Sequence, residues 1–147
     1  MKTILLVHGP NLNLFGKRDA VQYGTVAFSD IELLVEHEAR KLGCDVKKFQ
    51  SNHEGALIDF LQQESQNAAG IIINPGALTH YSYALHDALL DTRLPAVEVH
   101  LSDIHAREPW RHVSVTAPAC IAQVSGKKEQ GYVEAVQLLH QHLEKKI

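Results

Sequence analysis

The chain has 147 residues, the size of one domain, and its 45% apolar and 21% charged content suits a soluble globular protein with a real core. A formal net charge of −3 with no basic run argues against a nucleic-acid partner, and no apolar stretch reaches the length of a membrane span. Cys44 and Cys120 lack metal or redox spacing, so they read as reduced thiols of a cytoplasmic protein.

The N-terminal "MKTILLVHGPN" lacks the length and cleavage site of a signal peptide; its "TILLVHG" reads as a buried strand closed by Gly9-Pro10. "SDIELLVEHEARKLG" predicts a helix. Ser29 is its expected N-cap with Glu32 completing a capping box, Ile31, Leu34, Val35 and Leu42 share a face, and Gly43 is the stop. "CDVKKFQS" is a second strand and "EGALIDFLQQESQN" a second helix with Leu57, Ile58 and Leu61 at helical spacing. "GIIINPGA" is a third buried strand, and "HYSYALHDALLD" a third helix that Thr79 is placed to cap. "PAVEVHLS" is a fourth strand, and a fifth is expected near Ile121 to Val124. Residues 128–146 close the chain as a helix with Tyr132, Ala135, Val136, Leu139 and Leu143 on one face. Strands alternating with helices predict one α/β domain over residues 1–147, a flavodoxin-like doubly wound five-stranded parallel sheet.

Ligands of open parallel sheets bind beyond the carboxyl ends of the strands. Those ends read His8-Gly9-Pro10-Asn11, Ser51-Asn52-His53, Asn74-Pro75-Gly76 and His100-Leu101-Ser102. One such end is only a turn. Together they suit a polar, hydroxylated small molecule. His8 and His53 read as structural. No phosphate-binding glycine loop, HExxH helix, GxSxG elbow or acidic pair after the first strand is present. The ten histidines are scattered and form no metal-binding tract.

Three pairings carry chemistry. "FGKRDAVQYGT" sets Arg18 five residues before Tyr23 on a polar loop. A free tyrosine, with a pKa of about 10, stays protonated at neutrality, and a nearby cation favours the phenolate, a usable base. In "VEVHLS", Glu98 and His100 leave the same face of a strand, so the carboxylate can orient the imidazole for acid–base work. A plain structural contact explains that pair equally well. "REPWRH" places Arg107 and Arg111 beyond the same strand, where an arginine can clamp a carboxylate, although a solvated surface arginine is the commoner case. Asp87, taken from composition alone, is an exposed helix acid or a subunit contact.

In order, "HGPNLNLFGKR…YG", "FQSNHEGALID", "INPGALTHYSYAL.DAL", "VEVHLSDIHAREPWRH" and "GYVEAV" resemble the type II 3-dehydroquinate dehydratases, from Ile4 to about Leu139. The resemblance implies a cofactor-free lyase with no metal. It converts 3-dehydroquinate to 3-dehydroshikimate by anti elimination through an enolate, in aromatic biosynthesis or quinate breakdown, which share this step. It also implies a flavodoxin-like fold and a homododecamer of four trimers. By that match Tyr23 is the base, Arg18 stabilises the phenolate and the developing charge, and Asn11 holds the water on the enolate oxygen. His100 protonates the departing hydroxyl and Glu98 orients it. Asn74, His80, Ser102 with the Leu101 backbone, and Arg111 bind the substrate, and Asp87 reaches in from a neighbouring subunit.

The chain departs from the usual pattern at Asp19-Ala20, where Glu-Pro is common, and at Ala27-Phe28, His86, Pro109-Trp110 and Lys128. Loss of the proline loosens the expected lid. No proposed catalytic side chain is lost, so these changes bear on rate and assembly. Two other readings share the pocket: a non-catalytic binder of a cyclohexane carboxylate, and an enzyme of the same chemistry acting on a related ring acid.

Overall fold

The computed structural model describes residues 1–145. Lys146, expected in the last helix, and the end of the expected 1–147 domain lie outside the described residues. In chain order the elements are β1 (Lys2–His8), a one-turn α1 (Ala20–Tyr23), α2 (Phe28–Lys41), β2 (Cys44–Gln50), α3 (Glu54–Glu64), β3 (Gly70–Asn74), α4 (Tyr83–Thr92), β4 (Ala96–His100), β5 (Ala122–Ser125) and α5 (Gln130–Glu144). The strands pair in parallel in the order β2-β1-β3-β4-β5, the doubly wound arrangement expected of this alternation.

The order follows from burial. β3 and β4 are buried along their whole length, so they occupy interior positions. β2 alternates charged with apolar residues and takes an edge. Alternate residues feed two cores. Ile4, Leu6, Ile72, Val97 and Val99 pack with Ile31 and Val35 of α2 and with Tyr132, Val136 and Leu139 of α5. Leu5, Val7, Ile71 and Ile73 pack on the other face with Leu57 and Leu61 of α3 and Leu85 and Leu89 of α4. At about 25 cal/mol per Å², such fully buried aliphatic side chains contribute on the order of 2 kcal/mol each before chain entropy is charged against them.

Two expected caps are corrected. α2 begins one residue earlier than Ser29, at Phe28, with Ala27 at the cap position and no side-chain cap bond. Phe28 packs edge-on against the His8 ring at 4.6 Å, and that contact fixes the entry of the chain into the helix. Thr79 does not cap the third helix. It is buried in a 3-10 turn, Gly76–His80, where its hydroxyl meets Ser114 at 2.8 Å and Thr116 at 2.7 Å. Ser82 caps α4, accepting from the Leu85 N–H at 3.0 Å. α3 ends at Glu64 and passes into a 3-10 turn, Ser65–Asn67, and β5 runs one residue later than expected. Among the described residues no helix is long and apolar enough to cross a membrane.

Candidate active site

A cleft opens where the carboxyl ends of β1, β3 and β4 meet the segment holding α1. Its free interior volume is about 130 Å³. Asn11, Arg18, Tyr23, Asn74, His80, His100, Leu101, Ser102 and Arg111 line it. Glu98 stands behind it, fully buried, and reaches it through His100. Asp87 is exposed on α4 and is not among the lining residues.

Tyr23 sits at the end of α1 over the cleft. Arg18 Nη2 donates to its oxygen at 3.0 Å, and the Arg18 guanidinium also lies 3.9 Å from the ring centroid. A second arginine, Arg107, donates to the same oxygen at 2.7 Å and to Ser102 Oγ at 3.3 Å. A guanidinium has donors only, so the phenol oxygen accepts from both. Two guanidinium groups, from Arg18 and Arg107, thus converge on one oxygen.

Across the cleft, His100 Nε2 lies 2.9 Å from Glu98 Oε2. Glu98 also accepts from Ser114 at 2.8 Å, from Gln123 at 2.8 Å and from the Thr116 hydroxyl. Burial alone pushes the Glu98 carboxyl up. The hydrogen bond and charge of His100, with the bonds from Thr116 and Gln123, overcome this and bring it down to about 2. The carboxylate is therefore ionised, and His100 Nε2 must carry a proton to bond it. That leaves Nδ1 as the nitrogen available to the cleft.

The family described as Dehydroquinase class II matches residues 2–140. The chain belongs to the class II dehydroquinases. The 3-dehydroquinate dehydratase of Roseiflexus castenholzii is 51% identical over 136 residues, which cover 92% of this chain and 87% of that one. The 3-dehydroquinate dehydratase of Caldicellulosiruptor bescii is 48% identical over 145 residues, covering 98% of this chain and all 100% of its own. The crystal structure of the type II dehydroquinase from Butyrivibrio crossotus is similar with a TM-score of 0.91 at 41% identity, covering 94% of this chain and 97% of that one.

The remaining lining groups of this class II dehydroquinase are held in defined hydrogen-bonding states. Asn74 Oδ1 accepts from the Gly76 N–H at 3.1 Å, and its Nδ2 donates to the buried Tyr132 hydroxyl at 3.1 Å. One amide N–H is left over. His80 Nδ1 donates to the Val113 carbonyl at 2.8 Å. Burial lowers the His80 pKa, with the charges of His100 and Arg111 adding to it against the Val113 bond, so Nε2 is an acceptor. Arg111 stacks 4.0 Å over the Trp110 ring and donates to Glu108 at 2.9 Å. Asn11 is in the left-handed region at φ 71°, its N–H tied to Asn52 Oδ1 at 2.9 Å. Among the described residues no three His, Cys, Asp or Glu side chains form a metal-holding cluster.

Two features escape the sequence. Arg107 reads there as a carboxylate clamp or a solvated surface arginine, and nothing in the chain links it to Tyr23, 84 residues away, whose oxygen it meets. The hydroxyls of Ser114 and Thr116 sit in an irregular stretch with no period to place them beneath Glu98. His8, by contrast, is buried against Phe28 and lies 3.3 Å from Glu32, away from the cleft lining, in keeping with a structural part.

Proposed function

We propose that this cleft dehydrates 3-dehydroquinate to 3-dehydroshikimate by an anti elimination through an enolate. The observation that carries the reading is a phenol oxygen held by two guanidinium groups, facing a histidine whose far nitrogen is fixed on an ionised, buried glutamate. The Tyr23 phenolate removes the proton next to the ketone. The electron pair moves onto the carbonyl oxygen as an enolate, and Asn11 positions a water that hydrogen-bonds it. Arg18 balances the charge as it leaves the tyrosine. The His100 imidazolium then gives its Nδ1 proton to the ring hydroxyl, which departs as water while the enolate collapses to the enone. Tyr23 ends neutral and protonated, His100 ends neutral, and one proton passed from the first to the second resets the pair. The balance closes with protein side chains and water alone.

Asn74, the Ser102 hydroxyl, the Leu101 backbone, His80 and Arg111 hold the hydroxyls and carboxylate of the substrate. Asp87 completes the site from a neighbouring subunit of a homododecamer, a tetramer of trimers, and its exposure on α4 leaves it available for that contact. Both cysteines are free thiols, which supports a reducing, cytoplasmic setting for this single-domain enzyme. The test is direct turnover of 3-dehydroquinate, followed by enone absorbance. A rate well above the uncatalysed reaction is expected, and a rate equal to it overturns the reading.

A further inference from the structure

α1 is a single turn with no buried residue, and Val21 on it is 80% exposed. A segment that buries so little apolar surface is held closed by polar ties, each a sizeable share of its local stability. From inside, Arg107 holds the Tyr23 hydroxyl. From outside there is a further tie, and it comes from a residue with an unusual backbone. Lys128 has φ 53°, a left-handed conformation that is strained for a residue carrying a Cβ. In that conformation its N–H donates to the Leu101 carbonyl at 3.2 Å, and the neighbouring Gly126 N–H donates to the Ser102 carbonyl at 3.0 Å. Its side chain reaches the other way. Lys128 Nζ donates to the Val21 carbonyl at 2.5 Å, across 107 residues of chain, with the stem lying beside Gly24. The Val21 carbonyl is among the unpaired acceptors at the end of α1, where a cation is favoured.

We propose that Lys128 is a positioning residue: it latches the lid that carries Tyr23 to the turn that supports Leu101 and Ser102. One residue thereby sets the spacing between the base and the opposite wall of the cleft. The proposal rests on the reading of the cleft as a dehydratase site, and one of its readouts is independent of turnover. Lys128→Met keeps the stem and the strained backbone but removes the donor. Lys128→Gly removes the donor and relieves the backbone. Lys128→Arg retains a donor.

Both Lys128→Met and Lys128→Gly are expected to lose about three- to tenfold in kcat/KM, the range of one hydrogen bond. The loss falls on KM, because fewer free molecules have the lid in place. Chymotryptic cleavage after Tyr23, identified by fragment mass, quickens by a similar factor in both, and Lys128→Arg retains more of the protection and the activity. Lys128→Gly gains about 2–4 °C in Tm while losing activity, a pairing that simple damage to the fold does not produce. Wild-type cleavage rates in Lys128→Met and Lys128→Gly overturn the latch, as does an activity loss that follows a fall in Tm. If the wild-type protein itself shows no turnover, the dehydratase reading fails, and the cleavage rates still decide the latch.

Discussion

At the scale of single residues, the proposed mechanism turns on the phenol oxygen of Tyr23. Tyr23→Phe removes the proposed base and leaves the ring that packs beside Phe15, so kcat is expected to fall by about 10²–10⁴ with ligand affinity much as before. Arg18→Ala and Arg107→Ala each remove one charged donor from the same atom, and each is expected to cost about 10²-fold in kcat. Because they share that atom, the double variant should lose much less than the product of the two. Steady-state rates of the two single variants and the double variant decide this. A fully multiplicative loss would show that the arginines act on different atoms of the reaction. On the other wall, His100→Ala removes the proposed acid and spares the proposed base, so turnover should vanish while the α-proton still exchanges with solvent deuterium. Loss of exchange together with turnover, in a folded variant, contradicts the division of roles. Much of this site was legible from the chain. Glu98 and His100 share a strand face at a spacing of two, and Arg18 and Tyr23 share a short loop. Arg107 was not, because only the closed loop brings it to Tyr23.

At the scale of elements, what was legible was what repeats. The apolar runs of β1 and β3 and the faces of α2 and α5 follow a period set by burial, and their positions in the fold match it. Caps and turns depend on single tertiary contacts. Thr79 and Ser82 are equally good cap residues by chemistry, and Ser82 wins because Thr79 is drawn down to Ser114 and Thr116 beneath Glu98. The crossing of two strand ends shows how tightly the elements set the site. A Cβ on Gly9 would lie 2.2 Å from the Pro75 carbonyl oxygen, and the Gly9 N–H donates to the Asn74 carbonyl at 2.8 Å. Gly9→Ala must push the ends of β1 and β3 apart, at a cost of about 3 kcal/mol, and displaces Asn74 with them. The urea midpoint should fall and KM should rise in the same variant. An unchanged midpoint would mean that these strand ends yield easily.

At the scale of the whole molecule, assembly and acid stability are the two properties the charges govern. Asp87→Ala should weaken both substrate binding and self-association, seen as a rise in KM and a lower mass by light scattering; an active monomer of the unaltered protein contradicts the subunit-sharing role. Acid stability isolates Glu98. Its carboxyl drops from an ordinary 4.5 to about 2 on folding, because the bonds around it outweigh the penalty of burial. A group with a depressed folded pKa stabilises the protein fully above its unfolded value and loses that contribution as pH falls towards its folded value. The window here is therefore about pH 4.5 down to 2, and the contribution is on the order of 3 kcal/mol. Glu32, lowered by His8 and Lys48 against its own burial, titrates in the same direction, and His80, held neutral by burial, also loses stability as it is forced to protonate. Acid unfolding of the wild type alone thus mixes several groups. The difference between wild type and Glu98→Gln separates them, since every other group is common to both. Urea unfolding at fixed protein concentration should show a wide gap at neutral pH, with the wild type more stable. That gap should narrow steadily below pH 4.5, where the unfolded carboxyl binds a proton that the native carboxylate does not, and level off near pH 2 as the native carboxylate itself becomes, like the amide, uncharged. A gap that stays constant across the window would mean that Glu98 holds its place through hydrogen bonds alone.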